Sequence, residues 1–193
     1  LIERTAGGFL FYEEGVTESV GRAIEAVDRE RLAIADALGV RVLSEPDLGV
    51  VQGYMTEANY STGYSTAPGF LGIGAQSQLD NRYLTEDVGY SLVCLTDLAR
   101  RLGVATPMME AVITMASVVL DRDFRAEGAR TLASLGLDGL SAEELDARLR
   151  AGLTALVTRA RAGDAEARGI LAPLVAQVPD GTPVVLLPRL EPP

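Results

Sequence analysis

The sequence predicts an all-α fold, a bundle of roughly five to seven helices of mixed length around an irregular middle. Apolar residues recur at the helical period in several separate stretches, and those stretches open and close on recognisable start and stop signals. The one strand-like run, Val184-Val185-Leu186-Leu187, has no partner strand anywhere in the chain.

From Val16 to Leu38 the residues Val16, Val20, Ile24, Val27, Ile34 and Leu38 form a stripe that only Arg31 interrupts. Thr17 suits its N-cap, Gly39 its left-handed stop, and Glu18/Arg22 and Glu25/Arg29 are i,i+4 pairs that mark the wet face. Before it, Gly7 to Gly15 is an extended or turning segment whose aromatics need a surface to pack on. A weaker helix is expected from about Pro46 to Ala58, on the face shared by Leu48, Val51, Met55 and Ala58. Asn59 to Gln76 then carries Tyr60, Tyr64, Pro68 and several glycines without helical period. An ordered loop of that length is usually functional, a plain Ω-loop being the alternative.

Further on, Val88, Leu92, Leu95, Leu98, Ala99 and Leu102 form a stripe with Glu86 and Asp87 in its first turn, Arg100 and Arg101 in its last, and Gly103 closing it. Thr106-Pro107 opens another helix, with Met108, Val112, Met115 and Val119 expected to face inward. Ser141-Ala-Glu-Glu144 is a capping box, stapled by Leu140 and Leu145, for a helix to about Ala162 with the stripe Leu145, Leu149, Leu153, Leu156 and Ala160. A shorter helix follows from Asp164, expected to bend or end near Pro173, and a proline-punctuated tail begins at Pro179.

Composition narrows the function. At 193 residues, with 48% apolar and 23% charged residues, the chain is long enough for a real core and is not a disordered sequence. A net charge of −10 repels phosphate backbones, so nucleic acid is not an expected partner. No histidine is present, which removes the usual zinc and haem ligands and all Ser/His/Asp or Cys/His catalysis. A single cysteine, Cys94, sits on an expected apolar face, fits a reducing compartment and reads as an inert thiol. The longest apolar stretch, Ala111 to Leu120, is about half of a bilayer span, and no export signal opens the chain, so the expected location is the cytoplasm. Gly72-Ile-Gly74 lacks the third glycine, the preceding strand and the following helix of a dinucleotide fingerprint.

The stretches Arg82-Tyr-Leu-Thr-Glu-Asp87-Val and Phe9-Leu-Phe-Tyr-Glu-Glu-Gly15-Val-Thr17 resemble the C-terminal helical domain of the opine (octopine/nopaline) dehydrogenases. Ile24-Glu-Ala-Val-Asp-Arg-Glu-Arg-Leu32, Ala37-Leu-Gly-Val40, Gly103-Val-Ala-Thr-Pro107, Gly128-Ala-Arg-Thr-Leu132 and Leu135-Gly-Leu137 extend the likeness from Leu1 to about Leu140. The resemblance implies a multi-helix bundle like the C-terminal domain of 6-phosphogluconate dehydrogenase-like enzymes. It also implies an activity, the reductive condensation of an amino acid with a 2-oxo acid through an imine. The reductant, NAD(P)H, is bound by an N-terminal Rossmann domain, and the helical domain closes the substrate cleft.

On the same resemblance Arg82 belongs to the substrate-side polar site, and Asp87 partners the catalytic histidine, orienting it and raising its pKa. Tyr83, in the same motif, and Tyr64, in the long loop, are further substrate-binding candidates. The residues alone leave alternatives open: Asp87 suits a helix N-terminus without any catalysis, and Arg82 could pair with Asp80 or Glu86 on the surface. The family's histidine lies upstream of Leu1 and no Rossmann unit is present in this sequence, so this chain alone is not expected to transfer hydride. Gly89 stands where many relatives carry proline.

The expected organisation is an opine dehydrogenase-like substrate domain over 1–140, additional helices over 141–178 packed on the same domain, and a tail over 179–193, with a homodimer suggested by the unpartnered tail. The alternatives are a stand-alone helical small-molecule-binding or scaffold protein, and a histidine-free enzyme using Asp87, Glu86 and the loop tyrosines on an amino-acid-like ligand.

Overall fold

Every regular element in the computed structural model, which describes residues 1–176, is helical, apart from one isolated antiparallel bridge between Leu10 and Gly74. A first unit, Leu1–Gly139, carries a single helical turn α1 (Ile2–Thr5), then α2 (Glu18–Ala37), α3 (Glu45–Val51) and α4 (Thr62–Ser65). It continues with α5 (Arg82–Thr85), a π-helical turn π1 (Asp87–Leu92), α6 (Val93–Leu102), α7 (Pro107–Leu120) and α8 (Phe124–Glu127). A second unit begins at Leu140 and holds α9 (Ala142–Arg161) and α10 (Ala165–Ala176).

The boundaries of α2 follow the expected chemistry. Thr17 accepts from the Val20 N–H, Gly39 adopts φ +68°, and the Glu18–Arg22 and Glu25–Arg29 pairs form on the wet face. Ile34 of α2, Ala99 of α6 and Met109 of α7 close one core cluster, and Val88, Val93, Ile113, Ala116 and Phe124 close another around π1. Fully burying side chains of this size contributes about 1.5–3 kcal/mol each.

Four expectations are corrected. The second helix stops at Val51 rather than reaching Ala58, because Gly53 turns into the left-handed region at φ +81°; Met55 is nevertheless buried, beside Val16, Tyr64 and Ala67. The helix read from Glu86 to Leu102 is interrupted: its first six residues from Asp87 form π1, and regular α geometry begins at Val93. In α7 the inward stripe is Met109, Ile113 and Ala116, while Met115 and Val119 are exposed. The helix is apolar on most sides, so its period alone does not choose the face. In the second unit the capping box of Ser141 and Glu144 forms, and Leu145, Val157 and Ala160 are buried, but Leu149 is exposed and α10 continues past Pro173 to Ala176. The tail from Pro179, including the Val184–Leu187 run, lies outside the described residues.

The opening segment finds the surface its aromatics need in the long middle loop. Phe11 N–H donates to the Ile73 carbonyl at 2.8 Å, Ala75 N–H to the Phe9 carbonyl at 2.9 Å, and Gly72 N–H to the Glu13 carboxylate at 2.7 Å. Among the described residues no helix is long and apolar enough to cross a membrane.

Candidate functional site

Arg82, Tyr83 and Asp87 come from one short stretch, started by Asn81, whose side chain accepts from the Tyr83 N–H at 2.9 Å. The Arg82 side chain is 74% exposed, with Nε 3.6 Å from the Glu86 carboxylate, while Asp80 lies instead near Arg122. Tyr83 stacks on Phe11, ring centroids 5.4 Å apart and planes at 24°. Asp87 opens π1. Loss of hydration raises its carboxyl pKa, Arg82 pulls it down, and Glu86 pushes it up again.

Phe11 and Tyr12 line a cleft of about 520 Å³ together with Phe9, Val16, Ile24 and Tyr64. Tyr12 stacks on Phe70 at 4.3 Å and lies nearly parallel to Tyr64 at 6.5 Å. Its hydroxyl pKa is raised first by burial, then by Tyr83, Glu45, Asp87 and Tyr54. Of the candidates, Tyr64 lies beside Tyr12, Tyr83 stacks on Phe11, and Asp87 is near enough to act on the Tyr12 hydroxyl through its charge. Arg82 and Asp87 do not line this cleft. Tyr64 is buried, lines the cleft and hydrogen-bonds the Glu45 carboxylate.

Reading the sequence did not single out the polar network next to it. Asp28, 5% exposed, accepts from Arg31 Nε at 2.7 Å, from the Glu45 N–H at 2.9 Å and from the Tyr60 hydroxyl at 2.6 Å. Burial raises the Asp28 pKa, but the bonds from Tyr60, Glu45 N–H and Arg31 outweigh it and leave the carboxyl below its ordinary value. Burial raises Glu45, against the Tyr64 hydrogen bond. The signal for this network was Arg31, the residue that breaks the α2 stripe three places after an acid.

Another depression, about 600 Å³ at the end of α7, has its arginines already engaged, Arg122 with Glu127 and Arg125 with Glu110. Cys94 is half-buried, and burial raises its thiol, which suits an inert role. Among the described residues no cluster of three or more His, Cys, Asp or Glu side chains could hold a metal ion. The Gly72–Gly74 segment makes one isolated bridge and leads into no helix, so it offers no strand-turn-helix cradle for a pyrophosphate.

Residues 1–120 match the family described as NAD/NADP octopine/nopaline dehydrogenase, alpha-helical domain. Over 134 residues the chain is 41% identical to the opine dehydrogenase of Arthrobacter sp. (strain 1C), covering 69% of this chain and 37% of that protein. It is 36% identical over 137 residues to protein ocs of Agrobacterium vitis, covering 70% of this chain and 37% of that protein. To the vitopine synthase of Allorhizobium ampelinum it is 36% identical over 135 residues, covering 67% and 35%. The chain thus spans little more than a third of the length of these relatives. The match over residues 1–120 places this chain in the octopine/nopaline dehydrogenase family, with those residues forming its alpha-helical domain.

Proposed function

We propose that this chain is the substrate-binding part of an oxidoreductase that reductively condenses a 2-oxo acid with an amino acid. NAD or NADP would be held by a Rossmann domain beyond the described residues, on the same polypeptide or a second chain, and would supply the hydride when bound. The observation that carries the reading is the Tyr83–Phe11 stack, which holds the stretch from Arg82 to Asp87 against one of the aromatic residues that line the cleft.

Each residue has a defined task on this reading. The Arg82 guanidinium, exposed and in a long ion pair with Glu86, offers its fork to the carboxylate of the 2-oxo acid. Asp87 holds a histidine supplied from outside the described residues in one tautomer and keeps it basic enough to carry a proton near neutral pH. Tyr83 and Tyr64 shape the walls that exclude water. A single thiol and a nicotinamide-dependent partner suit the cytoplasm, and we include a homodimer in the proposal.

The test is the assembled enzyme, this chain together with its nucleotide-binding half, assayed by NAD(P)H oxidation over pairs of amino acids and 2-oxo acids. Arg82→Ala is expected to raise KM for the oxo acid by about 100-fold, the loss of one charge-assisted pair. Asp87→Asn is expected to lower kcat by ~10²–10⁴, the range for an orienting carboxylate, with an unchanged melting temperature. Equal turnover for Asp87→Asn removes that residue from the mechanism, and no oxidation with any pair overturns the reading.

A further inference from the structure

Turns of the π type are rare inside helices, so π1 must bring something that a plain α continuation of α6 would lose. The Val93 N–H donates to the Val88 carbonyl, five residues back, and both valines are 2% exposed. They share one core cluster with Ile113, Ala116 and Phe124. In α geometry two residues five apart diverge by about 140°, so one of the valines would leave that core. The wider turn narrows the angle to about 50° and seats both. Tyr90 and Ser91, between them, are left exposed. Gly89 is buried, and a Cβ there would lie 3.4 Å from Phe124 Cδ1, so the absence of a side chain lets the ring sit close over the turn.

Asp87 immediately precedes Val88, and its direction follows from that seat. With Val88 turned into the core, Asp87 leaves the helix about a quarter-turn away, on the side from which its charge reaches the Tyr12 hydroxyl. If the turn regularised to α while α6 kept its place, Asp87 would swing round the axis by about 100°. We infer that Val88 is a positioning residue for the proposed condensation: seated in the Phe124 cluster, it holds π1 in its wide form and thereby aims Asp87. In giving Asp87 a task in catalysis, the inference rests on the condensation reading above; the link from Val88 to the direction of Asp87 does not.

The test trims one cluster at two places. Val88→Ala removes the seat, whereas Ile113→Val shortens a neighbour in the same cluster that belongs to α7. Carbon-13 NMR of the carboxyl groups of the whole chain, with the Asp87 signal assigned by its loss in Asp87→Asn, follows the Asp87 titration directly. Loss of hydration is the largest cause holding that carboxyl up, so Val88→Ala is expected to bring its titration down toward the ordinary carboxylate range, and Ile113→Val to leave it in place. Val88→Thr keeps the branched outline but puts a hydroxyl in the apolar seat; it is the second variant, and the same downward shift is expected. In the assembled enzyme Val88→Ala is expected to lower kcat by about 10–100-fold, the scale of a misplaced reacting group, and Ile113→Val to change it by less than about 3-fold. An Asp87 titration unchanged in a folded Val88 variant, or shifted equally by Ile113→Val, overturns the inference. No NAD(P)H oxidation by the parent assembled enzyme overturns the condensation reading, and the carboxyl titration still decides whether Val88 aims Asp87.

Discussion

Asp28 is a carboxylate that burial would push toward the neutral form, yet it titrates below its ordinary value because Tyr60, the Glu45 N–H and Arg31 all favour its charge. A depressed folded pKa adds stability that is present above the unfolded pKa and lost as pH falls through the folded one. Glu45 has the opposite sign: burial raises its pKa, so its contribution is lost as pH rises from its unfolded value through the raised one. Asp28→Asn is therefore expected to cost about 2–4 kcal/mol near neutral pH, somewhat less than the ~3–5 kcal/mol of a fully buried pair because Arg31 is partly exposed. The gap to the parent protein should begin to close below about pH 4, where Asp28 protonates in the unfolded chain, and close further as pH falls through its depressed folded value. Urea midpoints across pH check this, and a gap independent of pH would mean that Asp28 acts through packing alone. At this scale the sequence showed where to look but not what would be found. Arg31 stood out as the break in a stripe, while the groups that explain it, the Leu43 carbonyl, the Glu45 N–H and the Tyr60 hydroxyl, arrive across separations of 12, 17 and 32 residues.

Elements were legible where their ends are written locally and illegible where a distant partner sets them. Thr17, Gly39, Gly103 and the Ser141 capping box each act within a turn of their own helix, and each forms as its chemistry requires. The start of α7 does not: Thr106 makes no side-chain cap, and the Glu30 carboxylate of α2 instead accepts from the Met108 and Met109 N–H groups at 2.7 and 2.8 Å. That clamp from across the fold accompanies a register in which Met109, Ile113 and Ala116 turn inward, one position later than the stripe read from periodicity. Removing both acceptors with Glu30→Ala is expected to cost about 1–3 kcal/mol, the value of hydrogen bonds to a charged group. It should also speed amide exchange in the first turn of α7 before it affects α2. Exchange that rises equally in both helices would mean that Glu30 supports general stability and not the α7 start. The π geometry of π1 was equally hidden, because its apolar residues satisfy an α period as well as the wider turn they adopt.

At the scale of the whole molecule, each hydrophobic cluster among the described residues belongs to one of the two units. Ile34, Ala99 and Met109, the cluster around Val88 and Phe124, and the cluster around Met55 and Tyr64 all lie in Leu1–Gly139, whereas Val157, Ala160, Ala167 and Leu171 belong to the second unit. A unit with its own core meets the physical condition for folding alone. The aromatic cleft and the matched residues 1–120 lie in the first unit as well. A fragment ending at Gly139 is therefore expected to unfold in one cooperative transition. Denaturant unfolding followed by both far- and near-ultraviolet circular dichroism is the measurement. Loss of the near-ultraviolet signal with the far-ultraviolet signal retained would show that the helices form but the core does not close, making the second unit a structural requirement of the first.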